Sequence, residues 1–275
     1  MRRAVTFVVI VVVCGVLDVV LHMLTEGFLS PLEAYSPLVE RLGLGPVASA
    51  WVALAFTGLG LVFLRIERHM AGSGLSKGLR YGLAVGLMVQ VAMIEGVAML
   101  GHRFLDEFVT GLADALPIVL MGALMGRFLA SDGPTARPVD PLPAGFVRVL
   151  VIITAIFGLG RLGAQAAGLF DSGLELRPLA TVAWTLAMGA TIALLVWLVR
   201  DAASHLTPIG RALALGAGVF GINWALFMAF VPMVFADALV DAVVRVAIDV
   251  ALVTIACAIA ARIGRKRAAS GGALA

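Results

Sequence analysis

The sequence predicts an all-α integral membrane protein of eight transmembrane helices, arranged as two parallel four-helix repeats with both termini on the cytoplasmic side. Three observations lead to this prediction. The composition is dominated by apolar residues, eight apolar stretches are each long enough to cross a bilayer, and particular residues recur at matching places in the two halves.

The composition excludes an ordinary soluble globule. Of the 275 residues, 61% are hydrophobic and only 13% are charged, and the mean hydropathy is +1.07. These few polar residues cannot cover the surface of a soluble protein of this length. We therefore expect the protein to be surrounded by membrane lipids. The net charge of +3 does not indicate nucleic acid, because the basic residues are spread over short loops beside the spans instead of forming one patch.

Apolar windows bounded by charges, Gly and Pro define the spans, here called spans 1 to 8. An N-terminal Met1-Arg2-Arg3 followed by apolar residues is typical of a signal peptide, but no small-x-small cleavage site follows, so we expect this segment to be retained as span 1. The predicted spans lie near residues 4–25, 47–65, 79–101, 110–129, 147–169, 180–199, 210–232 and 239–262.

One segment has the composition of a linker. Residues 131–145 contain Pro134, Pro138, Pro141 and Pro143 among polar residues, which favours a cytoplasmic connection. We therefore expect a first membrane repeat over 1–130, this Pro-rich linker over 131–145, a second repeat over 146–267 and a flexible tail over 268–275.

The two halves align with each other without any outside sequence, which indicates a duplication. The matched residues are Trp51 with Trp184, Gly78 and Gly86 with Gly210 and Gly218, and Asp114 and Arg127 with Asp249 and Arg262. Because each repeat holds an even number of spans, both repeats have the same orientation. The pseudo-twofold axis is therefore expected along the membrane normal.

The distribution of charge predicts the orientation. With the N-terminus inside, all but five of the 20 Lys and Arg residues lie in or beside cytoplasmic segments. The exceptions are Arg41, Arg103, Arg161, Arg177 and Arg245. Acidic residues follow the opposite trend, which makes the predicted outer face acidic.

Small residues recur at four-residue spacing in both halves, a pattern that lets helices approach closely in lipid. These residues either pack within the protein or form a homodimer interface. They are Gly82 and Gly86, Gly122 and Gly126, and Ala214 and Gly218.

Ionisable side chains at membrane depth are costly, so each is a candidate for function. Asp18, His22 and Glu26 follow one another at four-residue spacing toward the outer end of span 1, which places them on one helix stripe. Glu95 and His102 are expected to share a face of span 3, seven residues apart.

Span 4 contributes Asp114 in its outer part, with Pro117 three residues later. A proline inside a span removes a backbone hydrogen bond, so the sequence predicts a kink or polar notch beside the acid. Aligning Gly15 with Gly158 places Arg161 at the position of Asp18, so the acid and histidine cluster belongs to the first repeat alone.

The second repeat carries its own charged stripe. Its members are Asp241, Arg245 and Asp249 in span 8, with Arg161 in span 5. We interpret these residues as structural ion pairs, with Arg161 or Arg245 reaching Asp18 or Asp114 across the repeats.

Three chemistries fit the first-repeat cluster. Its carboxylates and imidazoles could bind or conduct a cation or protons. Asp18 and His22 could ligate one divalent metal ion with Glu95 or His102, and such an ion could serve an intramembrane hydrolase. Alternatively, the polar groups only satisfy one another, and the protein is a non-catalytic accessory or scaffold subunit with partner membrane subunits. The sequence leans away from an enzyme.

Spans 3 and 4 resemble a known class of protein. The stretches Lys77-Gly78-Leu79-Arg80-Tyr81-Gly82-Leu83, Gly111-Leu112-Ala113-Asp114 and Gly122-Ala123-Leu124-Met125-Gly126 are similar to those of small four-span bacterial and archaeal membrane proteins of unknown function. The chain resembles two such proteins fused in tandem. The resemblance implies the four-helix repeat but no activity, and the tryptophan motif usual in span 1 of these proteins is missing.

Overall fold

Eight helices that are long and apolar enough to cross a membrane account for most of the chain, which confirms the predicted fold class. The computed structural model describes residues 1–28, 34–133 and 144–271, with side chains described for 145–263 of the last segment. The spans are Arg2–Leu24, Leu44–His69, Gly74–Met99, Phe104–Phe128, Gly145–Ala166, Pro178–Leu198, Pro208–Val234 and Leu239–Ile263.

Short helices lie between or beyond the spans. They include 3₁₀ turns at Glu26–Phe28 and Arg200–Ala203 and a helix at Pro37–Leu42. The last helix continues to Gly271, past the point where the sequence predicts a tail, and residues 272–275 lie outside the described residues. Most of the predicted linker, residues 134–143, also lies outside them.

Each half of the chain packs in the same order. Span 1 contacts spans 2 and 4 and span 3 contacts span 4, while span 5 contacts spans 6 and 8 and span 7 contacts span 8. The halves meet where span 2 packs against span 7 and span 3 packs against span 6. The contacts within the two halves therefore follow the same order, and the duplication stays a prediction.

Two tryptophans that align in the sequence make matching hydrogen bonds at this junction. Trp51 Nε1 donates to the carbonyl of Leu226 at 2.9 Å, and Trp184 Nε1 donates to the carbonyl of Val91 at 2.7 Å. Each indole therefore fastens one half to the other. Span 7 contains a π-helical stretch, Leu213–Gly221, just before this contact, a feature that often lies near functional sites.

Spans 3 and 4 are packed backbone to backbone through their glycines. A side chain at Gly78 would overlap the carbonyl oxygen of Gly122, and a side chain at Gly82 would lie 3.2 Å from the Gly122 Cα. The small residues predicted in these two spans therefore pack within the protein. They allow the two helix backbones to approach closely in lipid.

A methyl group at this contact should be poorly tolerated. We expect Gly78→Ala to destabilise the protein by about 3 kcal/mol or more, because rigid backbone atoms block the new group. Gly163→Ala is the matched control, since a methyl group there meets no atom within 4 Å. Thermal unfolding in detergent measures both variants, and equal midpoints would contradict the close helix contact.

Candidate functional site

Three of the predicted polar residues meet between spans 1 and 4. Asp18 and His22, one turn apart on span 1, face Asp114 of span 4 because these two spans pack together. His22 Nε2 lies 3.1 Å from Asp114 Oδ1, a hydrogen bond whose donor depends on the imidazole tautomer. One ligand atom from each residue lies within 4.8 Å of the other two. We call this group the acid–histidine cluster.

Burial differs sharply within the acid–histidine cluster. Asp18 is completely buried, at 0% exposure, and neither of its carboxylate oxygens has a hydrogen-bond partner among the described residues. The Asp114 side chain is 5% exposed, whereas that of His22 is 28% exposed. His22 is therefore the member of the cluster that connects the buried acids with the surroundings of the protein.

Pro117 lies one turn beyond Asp114 and is itself buried. The helix Phe104–Phe128 continues through it without a break. The carbonyl of Ala113, four residues before the proline, loses its usual amide donor, so a polar backbone group lies directly beside Asp114.

Glu95 belongs to a different group. Its Oε1 accepts hydrogen bonds from Arg161 at 2.7 Å and from Arg245 at 2.6 Å, so it pairs with two arginines of the second half. The predicted metal-ligand set of Asp18, His22 and Glu95 is therefore not assembled, and Asp114 takes the third position. The physical reason is that Glu95 lies on span 3, which faces span 6, whereas span 4 faces span 1.

The two arginines complete a buried ion network at the junction of the halves. Arg161 also pairs with Asp249, and Arg245 pairs with Asp241 at 3.0 Å. Within the described part of the chain their ion pairs are with Glu95, Asp241 and Asp249, so the predicted contacts to Asp18 or Asp114 are not formed. The arginines still connect the halves, but through Glu95.

The remaining candidates lie outside both groups. The first helix ends at Leu24, so Glu26 falls in an exposed 3₁₀ turn and leaves the predicted stripe. His102 lies in the loop between spans 3 and 4, beyond the end of the helix, and its Nδ1 contacts Glu107. Neither residue joins the acid–histidine cluster.

The donors of the cluster suit a cation. Two carboxylates and one imidazole are ligands that zinc, manganese or iron accept, and the open position that remains is usual in reactive metal sites. A divalent ion bound by all three residues would replace the hydrogen bond between His22 and Asp114.

Sequence reasoning missed two buried polar contacts. Lys77 is fully buried and lies 3.6 Å from Glu67, although the sequence suggests an orienting charge in a loop. Tyr81, also fully buried, has its hydroxyl 2.8 Å from the carbonyl of Leu59 and 3.0 Å from the side-chain amide of Asn223. The sequence does contain a signal for these contacts, since Lys77 and Tyr81 lie one helical turn apart and therefore on the same face of span 3.

Comparison with known proteins gives one distant similarity. The chain is 28% identical over 237 residues to a "Probable multidrug resistance protein NorM" from Bradyrhizobium diazoefficiens, a match that covers 72% of this chain and 51% of that protein. The chain therefore spans about half the length of this relative. No family model matches the chain, and no solved structure matches it.

Proposed function

We propose that the chain is a membrane transport protein in which Asp18, His22 and Asp114 bind an exchangeable proton or small cation. The observation that carries the proposal is the state of Asp18, whose two carboxylate oxygens are buried beside a second buried acid and have no hydrogen-bond partner in the part of the chain that the structure describes. A site of this kind is expected to have a positively charged occupant.

The second half supports the proposal by analogy. In the internal alignment Arg161 occupies the position of Asp18, and Asp249 that of Asp114. Arg161 and Asp249 form a buried ion pair. Where the second half has a fixed guanidinium beside the acid, the first half has another acid. The positive charge that the first half lacks is supplied, under this proposal, by a proton or cation that can leave.

The size of the charge repulsion supports the same conclusion. Two ionised carboxylates about 4 Å apart repel each other by about 4 kcal/mol at an effective dielectric constant of 20. In a membrane interior this repulsion is poorly screened, so the ionised pair is unstable on its own. A bound proton or cation removes this repulsion, and release of the proton or cation restores it. Because Asp18 lies on span 1 and Asp114 on span 4, the repulsion couples occupancy of the site to the positions of these two helices.

The distant relative makes transport the preferred setting for this chemistry. Its name concerns multidrug resistance. We propose that the occupant of the acid–histidine cluster drives the movement of a second molecule, which the relative's name suggests is a small organic compound. The duplication and the cytoplasmic placement of both termini form part of this proposal, and a fusion of two four-span units is the simplest origin of the matching contacts.

Equilibrium binding tests the proposal directly. Purified protein in lipid nanodiscs is titrated with acid, Na⁺, Mn²⁺ and Zn²⁺ while infrared carboxyl bands are recorded. We expect one occupant to change the bands of Asp18 and Asp114 in the wild type and to have no such effect in Asp18→Asn. Asp106→Asn, in an acid of the outer part of span 4, is the matched control. Identical titrations of wild type and Asp18→Asn would remove the proposal.

Two outcomes favour the alternatives. A stoichiometric Zn²⁺ or Mn²⁺ ion that disappears in His22→Ala supports a metal site formed by Asp18, His22 and Asp114. The hydrolase hypothesis required a ligand from span 3, and both Glu95 and His102 have other partners. Stoichiometric co-purification of other membrane subunits with both wild type and Asp18→Asn supports an accessory role.

A further inference from the structure

A small cavity lies between the two halves, directly beside the acid–histidine cluster. Spans 2, 3, 4 and 7 line it, and Asp114 and Asn223 are its two residues with amide or carboxyl side chains. It offers about 10 Å³ to a water-sized molecule, which is room for about one water. Its other lining residues carry no amide or carboxyl group and include Trp51, Val89 and Ile118.

Asn223 has one side-chain amide atom without a partner at this cavity. The residue is 1% exposed, and its amide has one hydrogen-bond neighbour among the described residues, the Tyr81 hydroxyl at 3.0 Å. The single hydroxyl proton of Tyr81 is donated to the carbonyl of Leu59 at 2.8 Å, so the Asn223 amide donates to the Tyr81 oxygen through its nitrogen. Its side-chain carbonyl oxygen is then left over, and a buried polar group without a partner costs about 1 to 3 kcal/mol, so a partner is expected.

We propose that the cavity binds one water molecule, which donates one hydrogen bond to the side-chain carbonyl of Asn223 and the other to the Asp114 carboxylate. The cavity has the size for one water, and two polar groups are enough to hold it. The second half thereby contributes a residue to the first-half site. Asn223 is a positioning residue, because it acts on Asp114 through the water.

The water has a defined effect on the site. A donated hydrogen bond stabilises the ionised carboxylate over its neutral or cation-bound form. It therefore favours the state in which the proton or cation has left Asp114. This consequence rests on the proposed function, whereas the presence of the water does not.

Two variants remove the water by different means. Asn223→Leu deletes the side-chain carbonyl that accepts a hydrogen bond from the water, and Val89→Leu fills the cavity with an extra methylene while leaving Asn223 intact. Val85→Leu, one turn earlier on span 3 and fully buried outside the cavity lining, is the matched control for overpacking. Infrared spectra before and after exchange into H₂¹⁸O detect the band of a buried water. We expect this band in the wild type and in Val85→Leu and its loss in the other two variants.

The binding titration supplies the second measurement. We expect Asn223→Leu and Val89→Leu to bind the proton or cation about tenfold more tightly than the wild type, since one hydrogen bond to a charged group contributes about 1.5 kcal/mol or more. Val85→Leu should keep wild-type affinity.

The outcomes separate the two proposals. If the water band is present and sensitive to the variants while no occupant binds to Asp18, the water site stands and the proposed function fails. If Asp18→Asn abolishes binding but Asn223→Leu and Val89→Leu match the wild type in both measurements, the water site is wrong and the proposed function stands.

Discussion

Replacing Asp18 with asparagine is expected to reduce proton or cation flux into proteoliposomes by about 100-fold, equivalent to about 2.7 kcal/mol. The substitution keeps the shape of the side chain and removes the charge that holds the occupant. Because the Asp18 oxygens have no hydrogen-bond partner to lose among residues 1–28, 34–133 and 145–263, the midpoint of thermal unfolding should not fall. Flux is measured with a pH-sensitive or Na⁺-sensitive dye trapped inside the vesicles.

A second substitution sharpens this test. Asp18→Arg recreates in the first half the pair that Arg161 and Asp249 form in the second. We expect the new guanidinium to occupy the cation position permanently, with flux again lost. Asp106→Asn should retain wild-type flux, since this acid lies outside the acid–histidine cluster. Wild-type flux in Asp18→Asn would show that Asp18 does not carry the transported charge.

A large loss of stability is expected from Glu95→Gln. Glu95 compensates two buried guanidinium groups, those of Arg161 and Arg245, through a single carboxylate oxygen. Glu95→Gln breaks two buried ion pairs at once. A second carboxylate, Asp249 or Asp241, stays beside each guanidinium, so we expect a cost of about 3 kcal/mol, the lower end for a broken buried pair. The corresponding fall in the unfolding midpoint is about 10 °C for a chain of this size.

The control and the double variant identify the mechanism. Glu40→Gln makes the same chemical change at an exposed position on the helix Pro37–Leu42, and its midpoint should stay at the wild-type value. Adding Arg245→Met to Glu95→Gln should cost less than the sum of the two single effects, because Arg245 has already lost its ion pair with Glu95. If the double variant is destabilised by the full sum of the single effects, the ion network does not work as a unit.

The class of the protein and its eight spans could be derived from the sequence alone. Crossing a bilayer requires about 20 apolar residues in a helix, and a helix satisfies all the backbone hydrogen bonds of such a segment within lipid. The spacing of Asp18 and His22 was equally accessible, since residues four apart always lie on one face of a helix. Both conclusions depend only on interactions local in the chain.

The choice of partners could not be derived in this way. Asp114 and Glu95 are both acids in the outer parts of adjacent spans, and local spacing does not distinguish them. Span 4 faces span 1 and span 3 faces span 6, so Asp114 joins His22 while Glu95 meets Arg161.

The sequence by itself thus determined a membrane protein of eight helices and which side chains are costly at membrane depth. Only the tertiary structure decided which acids are compensated by arginine and which, like Asp18, have no hydrogen-bond partner within the described structure. The physical reason is that lipid selects helices by their length and apolar composition. The pairing of buried charges is set by contacts between helices far apart in the chain, here joined through packed glycines and two tryptophan hydrogen bonds.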